Sequence, residues 1–153
     1  MIEIIPNLYL SSFHDAKKHP LTPTAFVVNC TKDMPLFHNN SIRIPVDDDG
    51  TPQSMHEMFS VLPSIVERID RELKNNPVIV HCLAGMQRSP TVIAAYLITK
   101  YPELQKLEDV IKYIRTKKPE AFLWAVNFRD SLERYEMFIR SSKPNTTLQF
   151  SLP

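Results

Sequence analysis

Residues 78–90, VIVHCLAGMQRSP, concentrate reactive chemistry in a short space. The chain has two cysteines and two glycines, and one of each, Cys82 and Gly85, stand three positions apart. Arg88 follows, then Ser89 and Pro90. A thiolate is the nucleophilic form of cysteine, and positive charge and backbone N–H groups favour it over the thiol. A helix starting here supplies both. Ser89 suits an N-cap and Pro90 the first helical position, where a missing N–H costs nothing. The loop from Cys82 to Arg88 then lies at a helix N-terminus, where free amides and the helix dipole gather anions. Gly85 permits a positive φ, so successive amides can turn inward as a nest. Arg88 adds a planar fork for two phosphate oxygens. Leu83, Ala84, Gly85, Met86, Gln87 and Arg88 are therefore the candidate phosphate-binding residues, facing a nucleophile at Cys82.

Attack on a phosphoester leaves an alkoxide or phenoxide that a general acid must protonate. Asp47, Asp48 and Asp49 stand together before Gly50. An Asp-Gly turn accounts for two of the three. An EF-hand loop does not fit, because Pro45 and Val46 stand where ligands must alternate. The chemistry implied is covalent catalysis in two steps, with no metal and no cofactor.

The elements that carry these residues follow from apolar patterning. Strands are expected at Ile2–Ile5, Asn7–Leu10, Ala25–Asn29, Ile42–Val46 and Val78–His81. Helices are expected at Ser54–Lys74, with a capping box at Ser54 and Glu57, and at Ser89–Lys100. A third is expected at Leu107–Lys117, with Leu107, Val110, Ile111 and Ile114 on one face. The last is Trp124–Ser141, with Phe128, Leu132, Tyr135 and Ile139 in register. Pro63 should kink or break the first. Strands come early and helices late, so an α/β fold is expected: a mostly parallel twisted sheet of about five strands flanked by helices. Residues 1–142 form a single domain and 143–153 a loosely ordered tail. The 153 residues suffice for a core without disulfides. The balance of 18 basic and 17 acidic residues implies no polyanion partner. Neither a secretory leader nor an apolar run long enough to span a membrane is readable, so the Asn145-Thr146-Thr147 sequon carries no weight.

His81-Cys82-x-x-Gly85-x-x-Arg88-Ser89 resembles the signature of the cysteine-dependent protein tyrosine phosphatase superfamily. IIPNLYLSSFHDA, VVNCTKDMP, IRIPVDD and LERYE are similar to segments of its compact dual-specificity branch, over roughly residues 3–140. The resemblance implies hydrolysis of phosphotyrosine and phosphoserine or phosphothreonine, with Cys82 as nucleophile and Arg88 on the phosphate. Three places after Pro45 it makes Asp48 the general acid and base. Ser89 would stabilise the departing thiolate, and His81 would order the loop and lower the Cys82 pKa. An asparagine braces the loop in relatives; Ala125 aligns with it, with Asn127 nearby.

Relatives acting on inositol lipids place lysines where this loop has Leu83, Ala84, Met86 and Gln87. Those acting on RNA 5′ ends are more basic. The resemblance thus implies a phosphoprotein substrate, with no nucleic-acid or membrane partner. An RNA 5′-triphosphatase, another non-protein phosphoesterase and an inactive phosphopeptide-binding module are the alternatives. Arg115, Lys117 and Lys118 read as a solvated helix end. A chain opening at its first strand is expected to be a monomer, cytoplasmic with access to the nucleus. Cys30 stands where some relatives carry a redox partner for the nucleophile; the plainer reading is a small buried side chain.

Overall fold

The computed structural model describes residues 1–104, 106–142 and 152. In order the elements are β1 (Ile2–Ile5), β2 (Leu8–Ser12), α1 (Phe13–Lys18), β3 (Phe26–Asn29) and β4 (Ser41–Arg43). They continue with α2 (Pro52–Glu72), β5 (Val78–Cys82), α3 (Arg88–Lys100), α4 (Leu107–Lys117) and α5 (Arg129–Ser142). The tail expected over 143–153 lies, Leu152 apart, outside the described residues. No helix among the described residues is long and apolar enough to cross a membrane.

The five strands form one sheet in the order β1-β2-β5-β3-β4, antiparallel at β1–β2 and parallel elsewhere. β5 lies at the centre, and all five of its residues are buried, as a strand covered on both faces requires. Side chains alternate between faces. Val78, Val80 and Cys82 join Phe26, Val28 and Cys30 in the main core under α2–α5, while Ile79 and Val27 pack with Ala16 of α1 on the other face. Every residue of α3 from Ser89 to Ile98 is buried, which fits the apolar run VIAAYLI.

Several boundaries differ from expectation for local reasons. β4 ends at Arg43 rather than reaching Val46: Ile44 N–H still bonds to Asn29 O at 2.8 Å, but Pro45 has no donor to extend the ladder. α2 is capped by Thr51, whose Oγ1 accepts from Ser54 N–H at 3.2 Å, with Pro52 opening the helix. Ser54 is thus inside the helix, not its cap, and Glu57 accepts from Gln53 instead. α2 also runs through Pro63 without a break. α3 starts at Arg88 behind Gln87, so Ser89 is not the cap and Pro90 is the third helical residue, still within the turn that lacks amide partners. α5 starts five residues after Trp124. The short α1 was not expected; Ser12 caps it, accepting from Asp15 N–H. The buried faces of α4 and α5 are those the spacing predicts, Ile139 being only partly buried.

Candidate active site

β5 ends at Cys82, a residue 3% exposed, and the loop to α3 folds over the sulfur, with Gly85 N–H on it. The loop's carbonyls are all tied to the scaffold. Cys82 O accepts from His81 Nδ1–H at 3.2 Å and Leu83 O from Phe13 N–H at 3.1 Å. Ala84 O and Gly85 O accept from Lys118 Nζ at 3.4 and 2.9 Å. Met86 O accepts from Phe122 N–H at 2.8 Å, and Gln87 O from Thr91 N–H and Oγ1–H. Because each peptide is planar and trans, fixing these carbonyls outward turns the following N–H groups inward. The N–H of Gly85 reaches Cys82 Sγ at 3.3 Å. Gly85 has φ 72°, and a Cβ there would lie 2.5 Å from Lys118 Nζ and 2.8 Å from Ser11 O. Only glycine fits.

Burial alone would push the Cys82 thiol up, but Ser89 Oγ at 3.2 Å, the Ser89 and Gly85 amides and the Arg88 charge together bring it below its ordinary value. Ser89 therefore serves the sulfur and not the helix cap. Arg88 Nη1 donates to Val46 O at 3.1 Å, joining the loop to the segment that carries the aspartates. His81 is buried between the rings of Phe13 and Phe37, and burial lowers its pKa. Its bond is to the Cys82 carbonyl, so it acts on the loop backbone.

The three aspartates have separate partners. Asp47 pairs with Lys32 at 2.9 Å. Asp49 accepts from Thr51 N–H and Oγ1–H at 3.0 and 2.8 Å, and bonds to Thr51 and Ser54 hold its carboxyl below the usual range. Asp48 is exposed, and Asn127 Nδ2 donates to its two oxygens at 3.0 and 3.2 Å. Asn127 N–H also bonds to Gln87 Oε1 at 3.0 Å, while Gln87 Nε2 donates to Ala125 O at 2.8 Å. The loop is thus braced by its own Gln87 against the 125–127 backbone, and the Ala125 side chain has no part in those bonds.

Lys118 is the residue that sequence reasoning assigned elsewhere. It is half-buried under the loop, not part of a solvated helix end, and burial lowers its pKa against the pull of Cys82 and nearby carboxylates. Its Pro119 neighbour, which ends α4, is the one signal that the side chain turns away from the helix. Cys30 is buried beside the site. Asn29 pairs with His81 and Cys30 N–H bonds to His81 O, so Cys30 stands opposite Cys82 on the same face. Burial and the neighbouring Cys82 push its thiol well up. Among the described residues no cluster of three or more His, Cys, Asp or Glu could hold a metal.

A thiol under an inward-facing amide cradle, at the carboxyl edge of a mostly parallel sheet, defines a class of cysteine-based phosphate-binding domains. The chain belongs to the dual specificity phosphatase, catalytic domain family, which matches residues 8–138. It is 32% identical over 160 residues to dual specificity protein phosphatase 9 of Homo sapiens, covering 98% of this chain and 40% of that protein. It is 34% identical over 108 residues to dual specificity protein phosphatase OPG106 of variola virus, covering 67% of this chain and 61% of that one. The chain therefore spans 40–61% of the length of these relatives. Its fold matches the crystal structure of a variant of human DUSP28 with a TM-score of 0.77 at 21% identity, covering 93% of this chain and 97% of that one.

Proposed function

We propose that the protein hydrolyses phosphotyrosine and phosphoserine or phosphothreonine in phosphoproteins through a phosphocysteine intermediate. The observation that carries this is the row of outward-tied carbonyls from Cys82 to Gln87, which turns the loop amides onto the Cys82 thiol. Phosphate oxygens would take those amides and the Arg88 guanidinium. Sγ attacks phosphorus, the P–O bond to the leaving group breaks as P–S forms, and Asp48 gives the departing oxygen its proton. The ionised Asp48 then takes a proton from water, the water oxygen attacks phosphorus and the P–S bond breaks. Ser89 stabilises the thiolate that leaves. Asn127 orients Asp48, and His81 supports the loop. Side chains and water account for every proton, so the cycle calls for no metal or cofactor.

The uncharged loop positions Leu83, Ala84, Met86 and Gln87 support a protein substrate over a polyanionic lipid or RNA. The same proposal makes the enzyme a cytoplasmic monomer with access to the nucleus, and Cys30 a trap for oxidised Cys82. Opposed residues on adjacent strands lie roughly 5 Å apart, inside the roughly 4.4–6.8 Å Cα span of a disulfide. The test is phosphate release from phosphotyrosine and phosphothreonine peptides and from 5′-triphosphorylated RNA. Peptide turnover that Cys82→Ser abolishes is expected. Turnover confined to RNA, or surviving in Cys82→Ser, would contradict the proposal.

A further inference from the structure

Trp124 is the chain's single tryptophan and is 92% exposed. Its backbone is left-handed, φ 69°, two residues after Phe122 at φ 56°. Bulky side chains disfavour that region, and such conformations persist only where surrounding bonds impose them. Besides short local bonds such as Leu123 N–H to Glu120 O, the turn's bonds to residues distant in sequence lead to the candidate active site. Phe122 N–H is tied to Met86 O, Ala125 O to Gln87 Nε2, and Asn127 to both Gln87 and Asp48. The turn buries Phe122, 2% exposed, and presents Trp124 to solvent beside the phosphate cradle.

We propose that Trp124 is a specificity-determining residue: its indole forms a wall at the mouth of the cradle and receives the aryl ring of phosphotyrosine. This rests on the phosphatase function proposed for the same site. In an aryl phosphate the ring begins one oxygen out from phosphorus, where a rim residue can meet it; in a phosphothreonine that place holds an aliphatic carbon and then backbone. Offset or edge contact between aromatic rings is favourable beyond the area it buries. Besides the polar pair of Asp48 and Asn127, the rim carries further apolar side chains. Leu83 and Leu36, each 49% exposed, lie on the loops that follow β5 and β3 at the same edge of the sheet. An RNA 5′ end would bring further phosphates, yet apart from Arg88, which serves the one phosphate in the cradle, the cations here are engaged: Lys118 under the loop and Lys32 on Asp47. A single aryl phosphate fits that supply of charge.

The test compares kcat/KM on two peptides identical except for phosphotyrosine or phosphothreonine. Trp124→Ala should lower the phosphotyrosine-to-phosphothreonine ratio about tenfold, chiefly through KM, and Trp124→Phe should keep most of it. Because the indole is unique, intrinsic fluorescence of Cys82→Ser should shift on titration with the phosphotyrosine peptide and not with the phosphothreonine peptide. An unchanged ratio in Trp124→Ala, or a loss shared equally by both peptides, overturns the proposal. So does a fluorescence response to triphosphorylated RNA in place of the phosphotyrosine peptide. A wild type inert on both peptides overturns the phosphatase function itself and the specificity role with it.

Discussion

Replacing Ser89 with alanine removes the hydroxyl 3.2 Å from Cys82 Sγ and leaves the loop's carbonyl ties in place. A hydrogen bond to a charged group contributes about 1.5–3 kcal/mol. Losing it disfavours the thiolate by that amount, so Ser89→Ala should raise the Cys82 pKa. The sign follows from the site. Burial pushes the thiol up, and the donors led by the Ser89 side chain outweigh it, so the wild-type thiol ionises below its ordinary value. The thiolate therefore adds stability above the unfolded thiol's pKa, and that stability is lost as pH falls through the folded value. Ser89→Ala should narrow this window. The assay is the rate of iodoacetamide alkylation against pH, with Cys30 held protonated by burial and so a poor competitor. The half-point should move up in the variant, and the phosphocysteine should break down more slowly, because a more basic thiolate is a poorer leaving group. Coincident alkylation profiles would refute the role given to Ser89.

Asp48→Ala should slow turnover far more than Asp47→Ala or Asp49→Ala, whose carboxylates serve Lys32 and Thr51, and the loss should shrink with better leaving groups. Steady-state rates on a series of aryl phosphates check this; greater sensitivity at Asp47 or Asp49 would move the acid. Lys118→Met removes the ties to Ala84 O and Gly85 O, and inhibition by vanadate should weaken about tenfold. An unchanged inhibition constant would mean the loop holds its shape without Lys118. After mild peroxide, Cys82 as sulfenic acid should condense with the Cys30 thiol, releasing water and forming a disulfide. Wild type should then regain activity with a thiol reductant, and Cys30→Ser much less; equal recovery would leave Cys30 as packing.

The strand, loop and helix around Cys82 were legible because each fixed residue has a local reason: a buried apolar strand, a glycine with positive φ, and an arginine and a serine where the helix begins. In the sequence Asp48 is singled out only by its distance from Pro45, since three adjacent aspartates look alike there; that Asp47 pairs with Lys32 and Asp49 with Thr51 was not legible. The 122–127 turn was not legible. Left-handed Phe122 and Trp124 carry none of the glycine or asparagine that marks such backbone, so the segment passed for the start of a helix. Its bonds from Gln87 and to Asp48 join residues about 40 and 79 positions apart, which no local pattern encodes. Ser89 misled for a related reason: its hydroxyl suits both a cap and a sulfur, and the sulfur wins. α1, at six residues, is too short to display a helical period.

The central claim is that Cys82 carries the phosphoryl group. It is tested most directly by acid-quenching the enzyme within the first turnover of an aryl phosphate and analysing its peptides by mass spectrometry. A phosphoryl adduct on the peptide containing Cys82 is predicted, enriched in Asp48→Ala with a good leaving group and absent in Cys82→Ser. Full turnover with no adduct on Cys82, or an adduct on any other residue, would contradict it.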